Sequence, residues 1–196
     1  MPVLNRVSEF YDEMVEWRRD FHAHPELEFD VFRTAEVVEN RLKEFGCDEG
    51  VTGIGRTGVV GIIKGREPGD KVVGLRSDMD ALPIFEQTGA PHASEVDGKM
   101  HACGHDGHVT IALGTAHYLS QHRDTFAGTV KIIFQPAEEG PGGAKPMIEA
   151  GVLSQPDVDA IIGLHIWNNL PLGTVGVRSG PLMAATEYFQ IGRAHV

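Results

Sequence analysis

The spacing of apolar residues predicts two helices in the first quarter of the chain. In segment 32–45 the apolar positions recur every three or four residues: Phe32, Ala35, Val38, Leu42 and Phe45. Gly46 follows directly and favours a helix end, because glycine readily takes the left-handed backbone conformation found there. Segment 8–21 also has an amphipathic pattern that predicts a helix. We expect both helices to cover a sheet.

Four later segments are short and rich in β-branched residues, a pattern that predicts buried strands. They span residues 58–63, 72–76, 129–134 and 160–165. We expect a helix at about 107–121, with Asp106 as its N-cap, and another at about 143–150. Strands that alternate with helices indicate an α/β fold, in which helices flank a sheet that contains parallel pairs. Segment 172–189 is expected to begin a further strand.

Composition narrows the classes of function. The 196 residues are 41% hydrophobic, enough for one sizeable core, or for one domain and the start of another. A formal net charge of −11 argues against nucleic acid or an anionic membrane as partner. The first residues enter a charged amphipathic stretch with no apolar targeting segment, so we expect a cytoplasmic protein with Cys47 and Cys103 reduced.

Polar side chains follow three of the predicted strands. Asp78 and Asp80 come after the second apolar run, Glu138 and Glu139 after the third, and His165 ends the fourth. Because the carboxyl ends of strands in an open α/β sheet form the ligand crevice, we expect these residues at one rim. Taken singly, each pair is equally compatible with a solvated turn.

The segment 100–108 holds one thiol, three imidazoles and a carboxylate, a combination typical of metal sites. Cys103 and His105 lie two residues apart, so their side chains point the same way in an extended loop. Gly104 between them lets the backbone bend close to a metal ion. We favour a loop here, followed by a helix that starts near Gly107.

Other interpretations of this segment stay open at the level of sequence. His101, His105 and His108 could instead share one face of a helix, although Gly104 and Gly107 would weaken it. Cys103 could be a small buried apolar residue, and the two flanking histidines could be hydrogen-bonded scaffold.

The adjacent acids Glu138 and Glu139 suggest a division of roles. Adjacent residues that leave a strand point to opposite sides, so one carboxylate could bind a metal while the other handles protons. The second carboxylate would take a proton from an attacking water molecule and deliver it to a leaving amine. Two exposed acids before a glycine-rich turn is the alternative.

Several segments, in order along nearly the whole chain, resemble the M20 family of metallopeptidases. The similarity is to its amidohydrolase branch, which includes hippurate hydrolases, N-acyl amino acid amidohydrolases and N-acetyldiaminopimelate deacetylases. The segments that carry the resemblance are residues 18–27, 75–83, 100–108, 134–140 and 163–165. The fold that this resemblance implies is a zinc-exopeptidase-like catalytic domain, incomplete in this chain.

The resemblance also implies a dinuclear centre of zinc, manganese, cobalt or nickel. The implied ligands are Cys103, His105, Glu139 and His165. Cys103 would bridge the two ions as an oxidation-sensitive thiolate, Glu138 would be the general base, and Asp80 would lie near the metals in a supporting catalytic role. The implied substrate is a small N-acyl amino acid.

The resemblance further implies two parts beyond those seen here. In this family a smaller inserted domain forms homodimers, and a C-terminal segment adds one more histidine ligand. We therefore assign residues 1–185 to the catalytic domain, residues 186–196 to the start of the inserted domain or to a foreign tail, and weak or no activity to the chain. Residues 191–196 match a translated sequencing adapter, and Gln190 is compatible with its preceding bases, so we hypothesise that the tail 190–196 is read-through.

Two further functions compete with the hydrolase. A non-catalytic metal-binding or interaction module would keep the ligands without turnover. Such a module would have no use for the one of the two adjacent carboxylates that does not bind the metal. A single structural zinc site would hold one ion and lose its fold on chelation.

Overall fold

The computed structural model describes residues 5–184. One compact unit ends at Ile166, and a second begins at Trp167. The described part of the second unit, residues 167–184, contains turns and bends without a helix or strand. The strand expected to begin in 172–189 is therefore absent from 172–184, where glycines and prolines interrupt the pattern. The proposed domain boundary after residue 185 and the proposed foreign tail 190–196 lie outside the described residues.

Three helices open the chain: α1 at Asn5–Ser8, α2 at Tyr11–Ala23 and α3 at Phe32–Glu44. The first predicted helix is shifted, because the chain turns around the buried Phe10 before α2 begins. The second prediction is confirmed, and Gly46 follows α3 with a positive φ of 74°. The start of α3 is set by Glu26, whose carboxylate accepts hydrogen bonds from two backbone N–H groups at that end.

The described strands form one mixed sheet. They are β1 at Glu49–Ile54, β2 at Gly58–Lys64, β3 at Glu67–Asp78, β4 at Ala127–Gln135 and β5 at Ala160–Gly163. Their order across the sheet is β1-β2-β4-β3-β5, with β4-β3 and β3-β5 parallel and the other pairs antiparallel. The predicted α/β sheet with parallel pairs is confirmed. The sequence prediction missed β1, whose two glycines weaken the strand pattern.

Alternating residues of the central strands fill two cores on opposite faces of the sheet. Val59 and Ile63 of β2 point into the larger core, whereas Val60 and Ile62 point into the smaller one. The larger core lies under α2, α3 and α4, and the smaller one lies around Met147 of α5. The alternation has the period of two expected for a strand covered on both faces.

Helices α4, at His105–Gln121, and α5, at Ala144–Glu149, confirm the two helices predicted later in the chain. The predicted N-cap of α4 is wrong. Gly104 precedes the helix with a φ of 88°, and Asp106 lies within the first turn. The Asp106 carboxylate contacts His22 at 2.7 Å and Arg18 at 2.8 Å, and these partners draw it away from a capping position.

The last strand is less buried than predicted. β5 is the outermost strand next to β3, and Ile161 and Ile162 are 54% and 57% exposed. The expectation of a buried fourth run is therefore wrong, because β5 pairs along one edge and keeps its apolar side chains at the surface. Cys47 and Cys103 form no disulfide with each other. Across the described residues, the helices are too short or too polar to cross a bilayer.

Candidate metal centre

The predicted site residues meet at the carboxyl edge of the parallel strands. Asp78 is the last residue of β3 and pairs in register with Gln135, the last residue of β4. Gly163, the last residue of β5, pairs with Arg76 of β3. The polar segments that follow all three strands therefore leave the sheet at one rim, as the sequence predicted.

Two groups of metal-ligand atoms share His105. In one group, the ligand atoms of Cys103, His105 and His165 all lie within 4.8 Å of one another. In the other, His105 lies within the same distance of Glu138 and Glu139. Sγ of Cys103 is 3.3 Å from Nε2 of His165, and Nε2 of His105 is 3.6 Å from Glu139. The four residues that the resemblance implied as ligands therefore lie in two groups joined by His105.

Asp80 organises this cluster from a fully buried position. Its main-chain oxygen accepts a hydrogen bond from Nδ1 of His105 at 2.8 Å, so Nδ1 carries the proton and Nε2 faces the acids. Its carboxylate accepts hydrogen bonds from the backbone N–H groups of Glu138 and Glu139, both at 2.9 Å. Asp80 therefore orients the ligand-type groups without joining them.

Glu138 and Glu139 differ from the sequence expectation in direction. Both carboxylates approach Nε2 of His105, at 3.7 Å and 3.6 Å, and do not point to opposite sides. The reason is that the chain has left β4 at Gln135 and turns at Ala137, which has a positive φ of 55°. Glu138 is 40% exposed and Glu139 21%, so Glu138 is the more open to water.

His165 lies just beyond β5 with its ring orientation fixed locally. Nδ1 donates to the main-chain oxygen of Ile166 at 2.6 Å, which assigns the proton to Nδ1 and directs Nε2 to the Cys103 thiol. Cys103 is half-buried at this contact, which is unlike the buried apolar cysteine weighed as an alternative.

A third cluster of ligand-type atoms, formed by Asp78, His105 and His108, is explained by hydrogen bonds. Nδ1 of His108 donates to Asp78 at 2.6 Å, and Nε2 accepts from the backbone N–H of Ile166 at 2.9 Å. Both ring nitrogens of His108 are thus engaged, and this residue is scaffold.

The histidines of segment 100–108 combine the two arrangements weighed from the sequence. His105 and His108 lie on α4, whereas His101 lies in the loop before it. His101 is buried, and among the described residues neither of its ring nitrogens has a hydrogen-bond partner. Burial lowers its pKa to about 4, so the ring is neutral.

The electrostatics of the cluster favour a cation. Burial, followed by the negative charges of Glu139 and Glu138, raises the pKa of the Cys103 thiol to about 12. Burial alone would lower the pKa of His105, but its interaction with Asp80 and the charge of Asp78 raise it. The surplus of negative charge that holds protons on these groups would equally stabilise a divalent ion.

Two orphaned polar atoms test whether these residues fit a metal. Nε2 of His105 and Oε1 of Glu139 are buried, and neither has a hydrogen-bond partner within the described part of the chain. Buried polar atoms are rarely left unsatisfied, and these two face each other across 3.6 Å. A thiol, two imidazoles and carboxylates are also the donors that zinc and its neighbours prefer. The residues fit.

The sequence prediction missed a second polar network behind the site. His22 of α2 lies between Asp106, at 2.7 Å, and Glu86, at 3.2 Å. Burial opposes protonation, but the hydrogen bond to Asp106 outweighs it and raises the pKa of His22. His22 and Asp106 both lie in segments that carried the family resemblance, and this was the signal that could have found them. They are 84 positions apart in sequence, so the sequence alone did not show that they are in contact.

Comparison with known proteins places this site in a family. The pattern of peptidase family M20/M25/M40 matches residues 74–194, the range that contains the whole cluster. The N-acetylcysteine deacetylase of Bacillus subtilis is 48% identical over 93% of this chain and 47% of its own length. The N-acyl-L-amino acid amidohydrolase of Geobacillus stearothermophilus is 46% identical over 94% of this chain and 49% of its own length.

A solved structure gives the same assignment. A Bacillus subtilis protein described as a dinuclear metal binding peptidase from the M20 family superposes with a TM-score of 0.84 at 48% identity, over 89% of this chain and 48% of that one. The chain spans about half the length of these relatives. With the family pattern covering more than half of its residues, the chain belongs to peptidase family M20/M25/M40.

Proposed function

We propose that this chain carries the metal-binding face of a hydrolase that cleaves the amide bond of N-acyl amino acids. The observation that carries the proposal is that His105 lies in two groups of ligand-type atoms, one with Cys103 and His165 and one with Glu138 and Glu139. The relatives named for deacetylase and amidohydrolase activity support the substrate class.

Four residues would hold two divalent ions: Cys103, His105, Glu139 and His165. When bound, the ions would polarise the amide carbonyl and lower the pKa of the attacking water. Cys103 would supply a thiolate ligand to this centre, and its sulfur contacts Nε2 of His165 at 3.3 Å. Zinc, manganese, cobalt and nickel all suit this donor set.

Glu138 would act as the general base and then as the general acid. It is the more exposed of the two acids, so a water molecule can reach its carboxylate. The carboxylate would accept a proton from the attacking water and release it to the departing amide nitrogen, which leaves as an amine. The Glu138 backbone N–H donates to Asp80, and this bond would hold the base at a constant distance from the ligands.

The rest of the proposal concerns the longer protein. We infer a homodimer in the cytoplasm, where a reducing environment keeps a thiolate ligand available. Hippurate-like and N-acetyl substrates both fit the proposed chemistry. The 196-residue chain itself is expected to be weakly active or inactive, because it spans about half the length of its relatives.

Metal content tests the proposal first. After dialysis, elemental mass spectrometry of the chain should find close to two divalent ions per molecule, and a Cys103→Ala variant should lose them. Cys47→Ala is the matched control, because Cys47 lies near Ser120 and away from the cluster. A folded wild-type chain without metal would contradict the proposal. One ion whose chelation unfolds the chain would instead indicate a structural zinc site.

Turnover separates the hydrolase from a non-catalytic metal-binding module. The test uses the longer protein, which includes the half that this chain lacks relative to its relatives. Release of free amino acid from hippurate or N-acetyl amino acids, followed by mass spectrometry, should fall by roughly 10²–10⁴-fold in Glu138→Gln while the metal content stays constant. Glu16→Gln on α2 is the control. No turnover from the longer protein when it holds two ions would favour the binding module, and undiminished turnover in Glu138→Gln would remove this residue from the mechanism.

A further inference from the structure

His108 lies one helical turn beyond His105, yet its hydrogen bonds make it unsuitable as a ligand. A backbone N–H can only donate, so Nε2 of His108 must accept the bond from Ile166 at 2.9 Å. The proton of the neutral ring is then on Nδ1, which donates to Asp78 at 2.6 Å. Arg76 in turn donates to the other oxygen of Asp78 at 2.7 Å. His108 therefore connects Asp78, at the end of β3, to the backbone of Ile166 through two hydrogen bonds.

The peptide of Ile166 is held on both sides. Its N–H donates to His108, and its carbonyl oxygen accepts from Nδ1 of His165 at 2.6 Å. The second bond sets which nitrogen of His165 faces Cys103. The rings of His108 and His165 also meet edge to face, with centroids 4.6 Å apart. Displacing Ile166 would therefore rotate or withdraw the His165 ring.

Strand pairing and side-chain burial restrain this end of β5 only weakly. His165 comes two residues after the end of β5 and its side chain is exposed, so strand pairing and burial contribute little there. The Ile166 side chain lies against α4, where a Cβ added at Gly107 would come within 2.5 Å of it. A tight packing contact and one hydrogen bond from His108 thus locate Ile166.

We propose that His108 is a positioning residue that sets the place of His165 through the backbone of Ile166. The relay runs from the Asp78 carboxylate through the His108 ring to the Ile166 N–H, and it delivers the His165 imidazole to a divalent cation shared with Cys103. This inference rests on the proposed metal centre and adds to it a residue that binds no metal.

Cobalt(II) is a suitable probe, because its bond to a thiolate gives a charge-transfer absorption and its visible bands report the geometry of the ligands. The 196-residue wild-type chain, His108→Leu and His108→Gln would be titrated with cobalt(II) against a competing chelator. Leucine removes both hydrogen bonds, whereas the glutamine amide can donate to Asp78 and accept from Ile166. His117→Leu, further along α4, controls for loss of a histidine from this helix.

We expect His108→Leu to weaken cobalt binding by about 10–100-fold and to change the visible bands, as losses of groups that orient a ligand do. His108→Gln should restore affinity to within a few-fold, and His117→Leu should match wild type. In the metal-free chain, hydrogen exchange of the Ile166 amide should accelerate in His108→Leu alone. If His108→Leu fails to fold, Ile166→Pro tests the same step, because proline lacks the N–H that donates to His108 and the substitution keeps His108 itself.

The possible failures are distinguishable. Wild-type binding that is matched by His108→Leu, or by a folded Ile166→Pro, in affinity and spectrum would overturn the relay and leave the metal centre standing. A folded wild-type chain without the thiolate absorption would overturn the proposed function, and the positioning role would fall with it.

Discussion

The main-chain oxygen of Asp80 accepts a hydrogen bond from Nδ1 of His105 at 2.8 Å, and this contact fixes which nitrogen of the imidazole faces the cluster. The carboxylate of the same residue holds the backbone N–H groups of Glu138 and Glu139. One fully buried aspartate therefore positions groups from two distant segments. Its contribution is to orientation, because its own oxygens are occupied by backbone donors.

Replacing Asp80 by Asn should disturb this arrangement without a change in size. One acceptor oxygen becomes an NH₂ group that faces a backbone N–H, so Glu138 or Glu139 must move. We expect metal affinity to fall by about 10–100-fold, measured by competition with a chelator. Asp124→Asn is the control, since Asp124 is 70% exposed and pairs only with Arg66 among the ion pairs seen in the described chain. Equal affinities for the two variants would contradict the role given to Asp80.

The network of His22 makes stability depend on pH in a defined direction. The hydrogen bond to Asp106 outweighs burial and raises the pKa of His22 above its usual 6.5. A raised pKa in the folded state adds stability that is complete below pH 6.5 and is lost as the pH rises through the folded value. The free energy of unfolding, measured in urea, should therefore be higher for wild type than for His22→Gln, and this difference should be larger at about pH 5.5 than at about pH 9.

His117 provides a control of opposite sign for this experiment. Burial lowers the pKa of His117, so its neutral form is favoured in the folded chain. The difference in the free energy of unfolding between wild type and His117→Gln should therefore increase as the pH rises to the usual histidine pKa of 6.5. The same pH trend for both variants would show that the His22 network is not the cause.

Lys131 lies buried in β4 and should matter for stability. Its Nζ donates to the main-chain oxygens of Val152, Ser154 and Pro156 at 2.9–3.1 Å, which ties the turn after α5 to the sheet. Lys131→Met keeps the apolar stem and leaves these oxygens without their donor. We expect a loss of about 1.5–3 kcal/mol in the free energy of unfolding, measured in urea. Lys145→Met, at an exposed position of α5, should leave the urea midpoint unchanged.

The edge strand β5 should promote self-association of this chain. Ile162 is 57% exposed on the strand, and an exposed apolar edge is a template for pairing with another chain. Ile162→Lys should raise the highest concentration at which light scattering still finds a monomer. The midpoint of thermal unfolding should change little. Val51→Lys, on the opposite edge strand β1, is the control. Equal improvement from both substitutions would mean that β5 is not the dominant contact.

Local patterns were sufficient for much of the fold. The period of the apolar residues located α3, and the β-branched runs located β2, β3 and β4, because these segments have one strong preference and a core to face. A β-branched run also located β5, although its apolar side chains are exposed. The glycines of β1 weakened its signal, so that strand depends on its antiparallel pairing with β2. Exposure of β5 could not be predicted, because burial depends on neighbours that are distant in sequence.

The sequence by itself indicated which residues are expected to carry the chemistry. These are carboxylates and one imidazole in three segments just beyond strands, and the thiol and imidazoles of segment 100–108 around the start of α4. Only the tertiary structure decided how they are used. Glu138 and Glu139 converge because Asp80 holds their backbone, and His108 becomes scaffold because Asp78 and Ile166 occupy both of its nitrogens. The reason is physical, since a side chain's role depends on the partners that fill its hydrogen-bonding capacity, and those partners come from chain segments far apart in sequence.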